Sequence, residues 1–202
     1  MKWNINMAKL RANTLEDKQI KHQAIIDASA QLFQENLTLP TVATIAKTSG
    51  QAKGTVYLYF SSKETIYLSL LKQRYQEWFE QLETILSTTN SLAELLNCFV
   101  KYPLENDLFF PLASLSCSTL EPECDEAVKE EYYQWINEKF TQISAKISQQ
   151  FPMLNEQQAL SLFNDSHALV LGLWQQRPRH LDTDFEASVK AALARLWKGY
   201  FS

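Results

Sequence analysis

An all-helical chain is what this sequence predicts, and three observations carry the reading. Only four glycines (Gly50, Gly54, Gly172 and Gly199) and six prolines occur in 202 residues, so hairpins, β-meanders and phosphate-cradling loops have little raw material. Apolar residues recur at helical spacing along most of the chain. Several of these runs are preceded by a Ser, Thr or Asn that can cap a helix N-terminus. With 46% hydrophobic and 12% aromatic residues, there is ample material for a core.

Thr14 followed by Asp17 resembles a capping box, after which Ile20, Ala24, Ile25, Ala28, Leu32 and Phe33 recur at helical spacing until Asn36. After a short linker, Thr41 can cap a second helix from Val42 to Thr48, which stops before Gly50. A third helix carries Val56, Tyr57 and Phe60. Ser61 and Glu64 form a further capping box, opening a long helix with Ile66, Leu70, Leu71, Tyr75, Trp78, Phe79, Leu82 and Ile85 on its apolar face. Ser91 and Glu94 cap the next, which should end near Tyr102 because Pro103 follows. Pro111 and Pro122 bound an irregular helical segment from Leu104 to Leu120. A long helix is expected from Glu123 to Phe151, another from Asn155 or Glu156 to Gln176, and a last one from a Thr183–Glu186 cap to about Gly199. The expectation is nine helices and no strand.

Charge divides the chain unevenly. Residues 1–63 carry eight basic side chains (Lys2, Lys9, Arg11, Lys18, Lys21, Lys47, Lys53, Lys63) against four acidic ones (Glu16, Asp17, Asp27, Glu35), although the whole chain has a net charge of −4. Such asymmetry suits a basic head that meets a polyanion and an acidic body that does not. The first ten residues do not resemble a signal peptide, and nowhere do eighteen apolar residues follow one another. A cytoplasmic protein with no membrane contact is therefore expected. Cys98, Cys117 and Cys124 are odd in number and form no CxxC pair, so neither a disulfide framework nor a zinc site is suggested. No cofactor is expected.

Residues 41–60, TVATIAKTSGQAKGTVYLYF, have the physical logic of a helix-turn-helix. Val42, Ile45 and Ala46 face inward, Gly50 supplies the positive φ of a sharp turn, and Val56 and Phe60 fasten the third helix to the first. Gln51, Ala52, Lys53, Thr55, Tyr57 and Tyr59 are left near the outer face or N-terminal end of a short helix that can enter a major groove. These are candidate DNA contacts, and Thr41, Gly54 and Lys63 join them only on the family resemblance that follows.

The run Thr41-Val42-x-x-Ile45-Ala46-x-x-x-Gly50-x-x-Lys53-Gly54-Thr55-Val56-Tyr57-x-x-Phe60-x-x-Lys63-Glu64, preceded by Ala28-x-x-Leu32-Phe33, resembles the N-terminal domain of the TetR family of transcriptional regulators. The resemblance covers about residues 17–66, roughly a quarter of the chain. It implies a helix-turn-helix domain over residues 1–62 and a larger helical effector-binding and dimerisation domain over residues 63–202. It further implies phosphate contacts from Thr41, Tyr57 and Lys63, base or phosphate contacts from Lys53 and Thr55, and a place near the groove for Tyr59. Two positions depart from the pattern. Gln51 stands where the family usually has an apolar turn residue, and Asn36-Leu37 replaces the usual glycine after the first helix but can still provide a left-handed cap.

Residues 155–177 are apolar almost all round, and such a helix must be buried on every side. With the last helix it is expected to form a four-helix interface in a homodimer, through Leu162, Leu169, Leu173, Val189, Leu193, Leu196 and Trp197, as the resemblance also implies. Two heads would then span a pseudo-palindromic operator on double-stranded DNA. The resemblance also implies an effector pocket in the body, with Tyr75, Trp78, Phe79, Phe109, Phe110, Cys117, Tyr133, Phe163, His167 and Trp174 as candidates to line it for a small, largely apolar molecule, core packing being the alternative for each. Binding would release operator only through unequal affinity for two states of the dimer. The rivals are a thiol-based redox regulator, a helical interaction protein that ignores DNA, and an enzyme using Cys117 and His167. The expectation is a ligand-responsive homodimeric repressor without catalytic activity.

Overall fold

The computed structural model describes residues 2–177 and 184–201, with side chains from residue 15 onward. Nine α-helices occur among the described residues: α1 (Lys2–Asn36), α2 (Val42–Thr48), α3 (Lys53–Tyr59), α4 (Lys63–Thr88), α5 (Leu92–Glu105), α6 (Phe109–Leu115), α7 (Glu126–Gln150), α8 (Glu156–Gln176) and α9 (Phe185–Phe201). A π-helical turn, Ser116–Leu120, and a 3₁₀ turn, Glu121–Glu123, link α6 to α7. No strand occurs among these residues.

Three stops and starts differ from those expected. The helix does not begin at Thr14 but runs through it from Lys2, so positions 14 and 17 lie inside α1 and not at its start. The cap of α4 is Ser62, whose Oγ accepts the Thr65 N–H at 3.1 Å, and the Ser61 hydroxyl lies 3.2 Å from the Thr65 hydroxyl instead. Pro103 sits inside α5, which continues to Glu105 before the Asn106 N–H bonds the Tyr102 carbonyl. The missing N–H of Pro103 costs that helix one bond, and burial of the ring against the body offsets the loss. α8 starts where expected, and the structure adds a capping box there, Asn155 and Gln158 bonding each other's backbone N–H reciprocally. Thr183 lies outside the described residues; Asp184 caps α9, its Oδ1 accepting the Ala187 N–H at 3.0 Å.

α4 is the spine. It packs against α1 on the head side and against α5, α6 and α7 in the body. The head is joined to it by the Tyr67 hydroxyl, which donates to the Ser29 carbonyl at 3.3 Å, and by the Phe33–Tyr67 ring contact at 5.5 Å. The Gln73 amide adds a bond of 3.0 Å to Gln23. α8 packs on α7, α9 and α6, while α9 also packs on α5.

The dimer candidates divide on burial. Leu162, Val189, Leu193 and Trp197 lie fully inside the chain's own core, where they cannot face a partner. The Trp197 indole donates to Ser166 Oγ at 3.0 Å and Ser166 in turn donates to the Leu162 carbonyl, a buried link between α9 and α8. α8 is not apolar on every side either, since Ser161, Asn164 and Asp165 are exposed. Leu169, Leu173 and Leu196 are only partly covered.

Candidate nucleic-acid interface

The turn between α2 and α3 is hydrogen-bonded as a Schellman motif. Gln51 N–H donates to the Ala46 carbonyl at 2.9 Å and Gly50 N–H to the Lys47 carbonyl at 3.3 Å, with Gly50 at φ +68°. A Cβ at Gly50 would meet no neighbour, so the demand for glycine there is conformational and not one of space. Thr41 begins α2 and its Oγ1 accepts the Thr44 N–H at 3.2 Å. Val42, Ile45 and Ala46 are buried, which fixes the face α2 turns inward.

α3 is seated by Val56 and Phe60, both in the core. The His22 ring of α1 stacks 4.7 Å from Phe60 and 6.2 Å from Tyr59, and burial lowers the His22 pKa, favouring the neutral ring that packs there. Ala52, Lys53, Gly54, Tyr57 and Leu58 are exposed, while Gln51 and Thr55 are half-covered. Lys53 Nζ lies 5.8 Å from the Tyr57 ring, which keeps cation and phenol on one flank. Lys63 opens α4 with its ammonium 3.7 Å from Glu64, a partly exposed and long pair that leaves the cation able to meet a phosphate.

Among the nine candidate contacts, the Tyr59 ring packs against α1, edge-on to His22. Leu58, passed over in the sequence because an apolar residue in an apolar run reads as core, projects instead into solvent.

The effector candidates fall in three places. Tyr75, Trp78, Phe79, Phe109, Phe163 and His167 form a continuous ring cluster, with Tyr75 and Phe109 centred 5.0 Å apart and Trp78 and Phe163 stacked at 5.8 Å. The Tyr75 hydroxyl lies 2.8 Å from Nε2 of His167. Burial pushes His167 down to about 4 and Tyr75 well above its usual value, so both are neutral. Trp78 Nε1 is buried with no hydrogen-bond partner among the described residues, in the middle of the aromatic body.

Phe110, edge-on to Phe109 at 5.6 Å, stacks on Trp174 at 5.3 Å, and the two line a groove of about 820 Å³ with Phe33, Leu37, Leu104 and Leu115 where the end of α1 meets the body. Cys117 and Tyr133 lie in a third place, around the buried Glu121: the Tyr133 and Ser116 hydroxyls each donate to it at 2.5 Å, and Cys117 Sγ stands 3.8 Å away. Glu121 was not legible in the sequence, since a glutamate before a proline reads as a surface turn.

Cys117 and His167 therefore take separate partners. Burial raises all three thiols, Cys98 to about 11, and Glu121 raises Cys117 further. A redox sensor needs the opposite, a lowered pKa.

A glycine-turned helix pair seated on a third helix, with a cation, a phenol and a hydroxyl left on its outer surface, defines a helix-turn-helix DNA-binding transcriptional regulator. The chain belongs to the TetR family: residues 25–70 match the model of bacterial regulatory proteins of the tetR family, and residues 72–180 match that of the tetracyclin repressor-like C-terminal domain. It is 40% identical over 70 residues to the fatty acid metabolism regulator protein of Bacillus subtilis (strain 168), a stretch covering 34% of this chain and about a third of that protein, 36%.

Two solved structures share the fold over most of both chains. The fatty acid degradation regulator FadR of Bacillus halodurans superposes with a TM-score of 0.62 at 22% identity, over 87% of this chain and 94% of the other. FadR of Bacillus subtilis in complex with stearoyl-CoA gives 0.60 at 21% identity, over 88% and 98%. No helix among the described residues is long and apolar enough to cross a membrane.

Proposed function

We propose that the protein is a cytoplasmic, homodimeric repressor whose head, residues 1–62, binds a pseudo-palindromic operator and whose body, residues 63–202, binds a largely apolar effector that releases it. The observation that carries this reading is the surface of α3: Lys53 and Tyr57 exposed on one flank, behind a turn whose positive φ falls at Gly50. Lys53 and Thr55 meet bases or phosphates, Tyr57 and Lys63 anchor the backbone, and Thr41 adds a phosphate contact from the start of α2, with Gln51, Ala52 and Gly54 against the groove. The two-fold operator follows from a dimer built on α8 and α9, in which Leu169, Leu173 and Leu196 face the partner.

The effector reading is supported by the relatives, since FadR of Bacillus subtilis was solved with stearoyl-CoA, and by the apolar groove where Phe110 and Trp174 meet Leu37 at the head–body junction. An occupant of that groove would touch both the α1–α2 connection and α8, and so could prefer one head position over another.

The test is selection of bound sequences from a random duplex pool with wild type and Tyr57→Ala, followed by titration of the complex with stearoyl-CoA. Enrichment of a palindrome by the wild type alone, and its release by the acyl thioester, are the expected results. No enrichment by either protein at low salt overturns the regulator's DNA site. Enrichment without release overturns the acyl effector and leaves the operator standing.

A further inference from the structure

Leu58 is 84% exposed, more than any other large apolar side chain among the described residues. At 3.6 residues per turn it lies on the ridge of α3 opposite the buried edge made by Val56 and Phe60. One turn earlier on the same ridge is Gly54, where a Cβ would meet only open space. No side chain therefore stands in front of Leu58, and the backbone at Gly54 can approach a surface closely while Leu58 reaches ahead of it. Lys53 and Tyr57 occupy the adjoining flank, with the Lys53 ammonium 5.8 Å from the Tyr57 ring.

A leucine offers neither donor nor acceptor, which sharply restricts what it can meet in a major groove. Guanine, cytosine and adenine present N7, O6, N4 or N6 there, and covering any of these with an isobutyl group strips its water without replacing the hydrogen bond. Thymine alone adds an apolar group, the C5 methyl. We propose that Leu58 is a specificity-determining residue that selects thymine by packing on that methyl and rejects other bases by leaving their polar edges unpaired. The proposal rests on α3 entering the major groove and adds to it a base identity at one position of each half-site.

The experiment uses the full chain and the operator it selects. Each symmetric pair of thymines is replaced by deoxyuridine, which removes only the methyl, and dissociation constants are measured for wild type and Leu58→Ala. For the wild type, one pair should show a loss of about fourfold per methyl, or about fifteenfold for both half-sites, the worth of one buried methyl-sized group each. Leu58→Ala should bind the thymine operator more weakly by a similar factor and be indifferent to uracil at that pair. The variant's fold is safe because the side chain makes no core contact.

Equal uracil sensitivity in both proteins at every position, or unchanged affinity of Leu58→Ala, overturns the thymine contact while leaving the DNA site intact. Failure of the wild type to select any operator overturns the groove docking of α3, and the contact with it.

Discussion

At the scale of single residues, the candidate interface and the core are governed by different demands. Tyr57 is 48% exposed, and its hydroxyl takes no hydrogen-bond partner among the described residues. Tyr57→Phe removes only that hydroxyl, so operator affinity should fall about three- to tenfold, the worth of one hydrogen bond, while the thermal midpoint stays within a degree or two. An equal loss of affinity and of melting temperature would show instead that the hydroxyl supports the fold.

His167 is the reverse case. Its ring is enclosed by Tyr75, Trp78 and Phe140 and is neutral in the folded state, with a pKa of about 4 against 6.5 unfolded. Below pH 6.5 the unfolded chain binds the proton more readily, so this group's contribution is intact above that pH. It is lost as the pH falls toward 4, at up to about 1.4 kcal/mol per unit. Urea unfolding at pH 7.5, 6 and 5 should show the decline in the wild type and a shallower one in His167→Gln; parallel profiles would remove His167 from the account.

Among the elements, the two connections of the head have opposite chemistry at the same backbone conformation. Gly50 follows α2 at φ +68° and Leu37 follows α1 at φ +52°. A left-handed leucine costs about 1–2 kcal/mol, and Leu37, 55% exposed, recovers little of it through burial. Leu37→Gly should therefore leave stability unchanged or raise it by up to about 1 kcal/mol, whereas Gly50→Ala should lower it by about 1–2 kcal/mol. Chemical denaturation of the pair checks both signs, and destabilisation by Leu37→Gly would show that its side chain is needed in the groove it lines.

Element boundaries were readable where a single side chain decides them. Ser91 and Thr41 cap where their positions place them, and α8 begins at Glu156, one of the two starts expected. They were misread where two adjacent residues compete or where packing outweighs a local rule. Ser61 and Ser62 can both present a hydroxyl to Thr65, but it is Ser62, with extended backbone, whose Oγ takes the Thr65 N–H. Pro103 ends no helix because its ring is buried in the body.

For the whole molecule, the charge asymmetry between head and body has a measurable consequence. Each phosphate neutralised contributes about 0.9 to the slope of log K against log salt. Lys53→Gln and Lys63→Gln should each flatten the operator-binding slope by about that amount per half-site, with little change in the sequence preferred. A changed preference would mean that the lysine reads bases. The acidic body has no such role: Glu77, Glu80, Glu94 and Lys101 surround a surface hollow between α4 and α5, and their replacement should leave the slope unaltered.

The amino-acid order alone determined the helical class, the helix-turn-helix and most of its outward residues, because these depend on local matters: the period of apolar residues, the caps, and one glycine at one turn. Tertiary structure decided which apolar residues are spent in the core. Leu162, Val189, Leu193 and Trp197 have the spacing of an interface and lie inside the chain, Tyr59 has the position of a groove contact and packs on His22, and Leu58 has the composition of core and stands in solvent. Periodicity reports that a helix has an apolar face, but not what covers it. That depends on the direction from which α1, α5 and α7 arrive, a product of contacts between residues far apart in the chain.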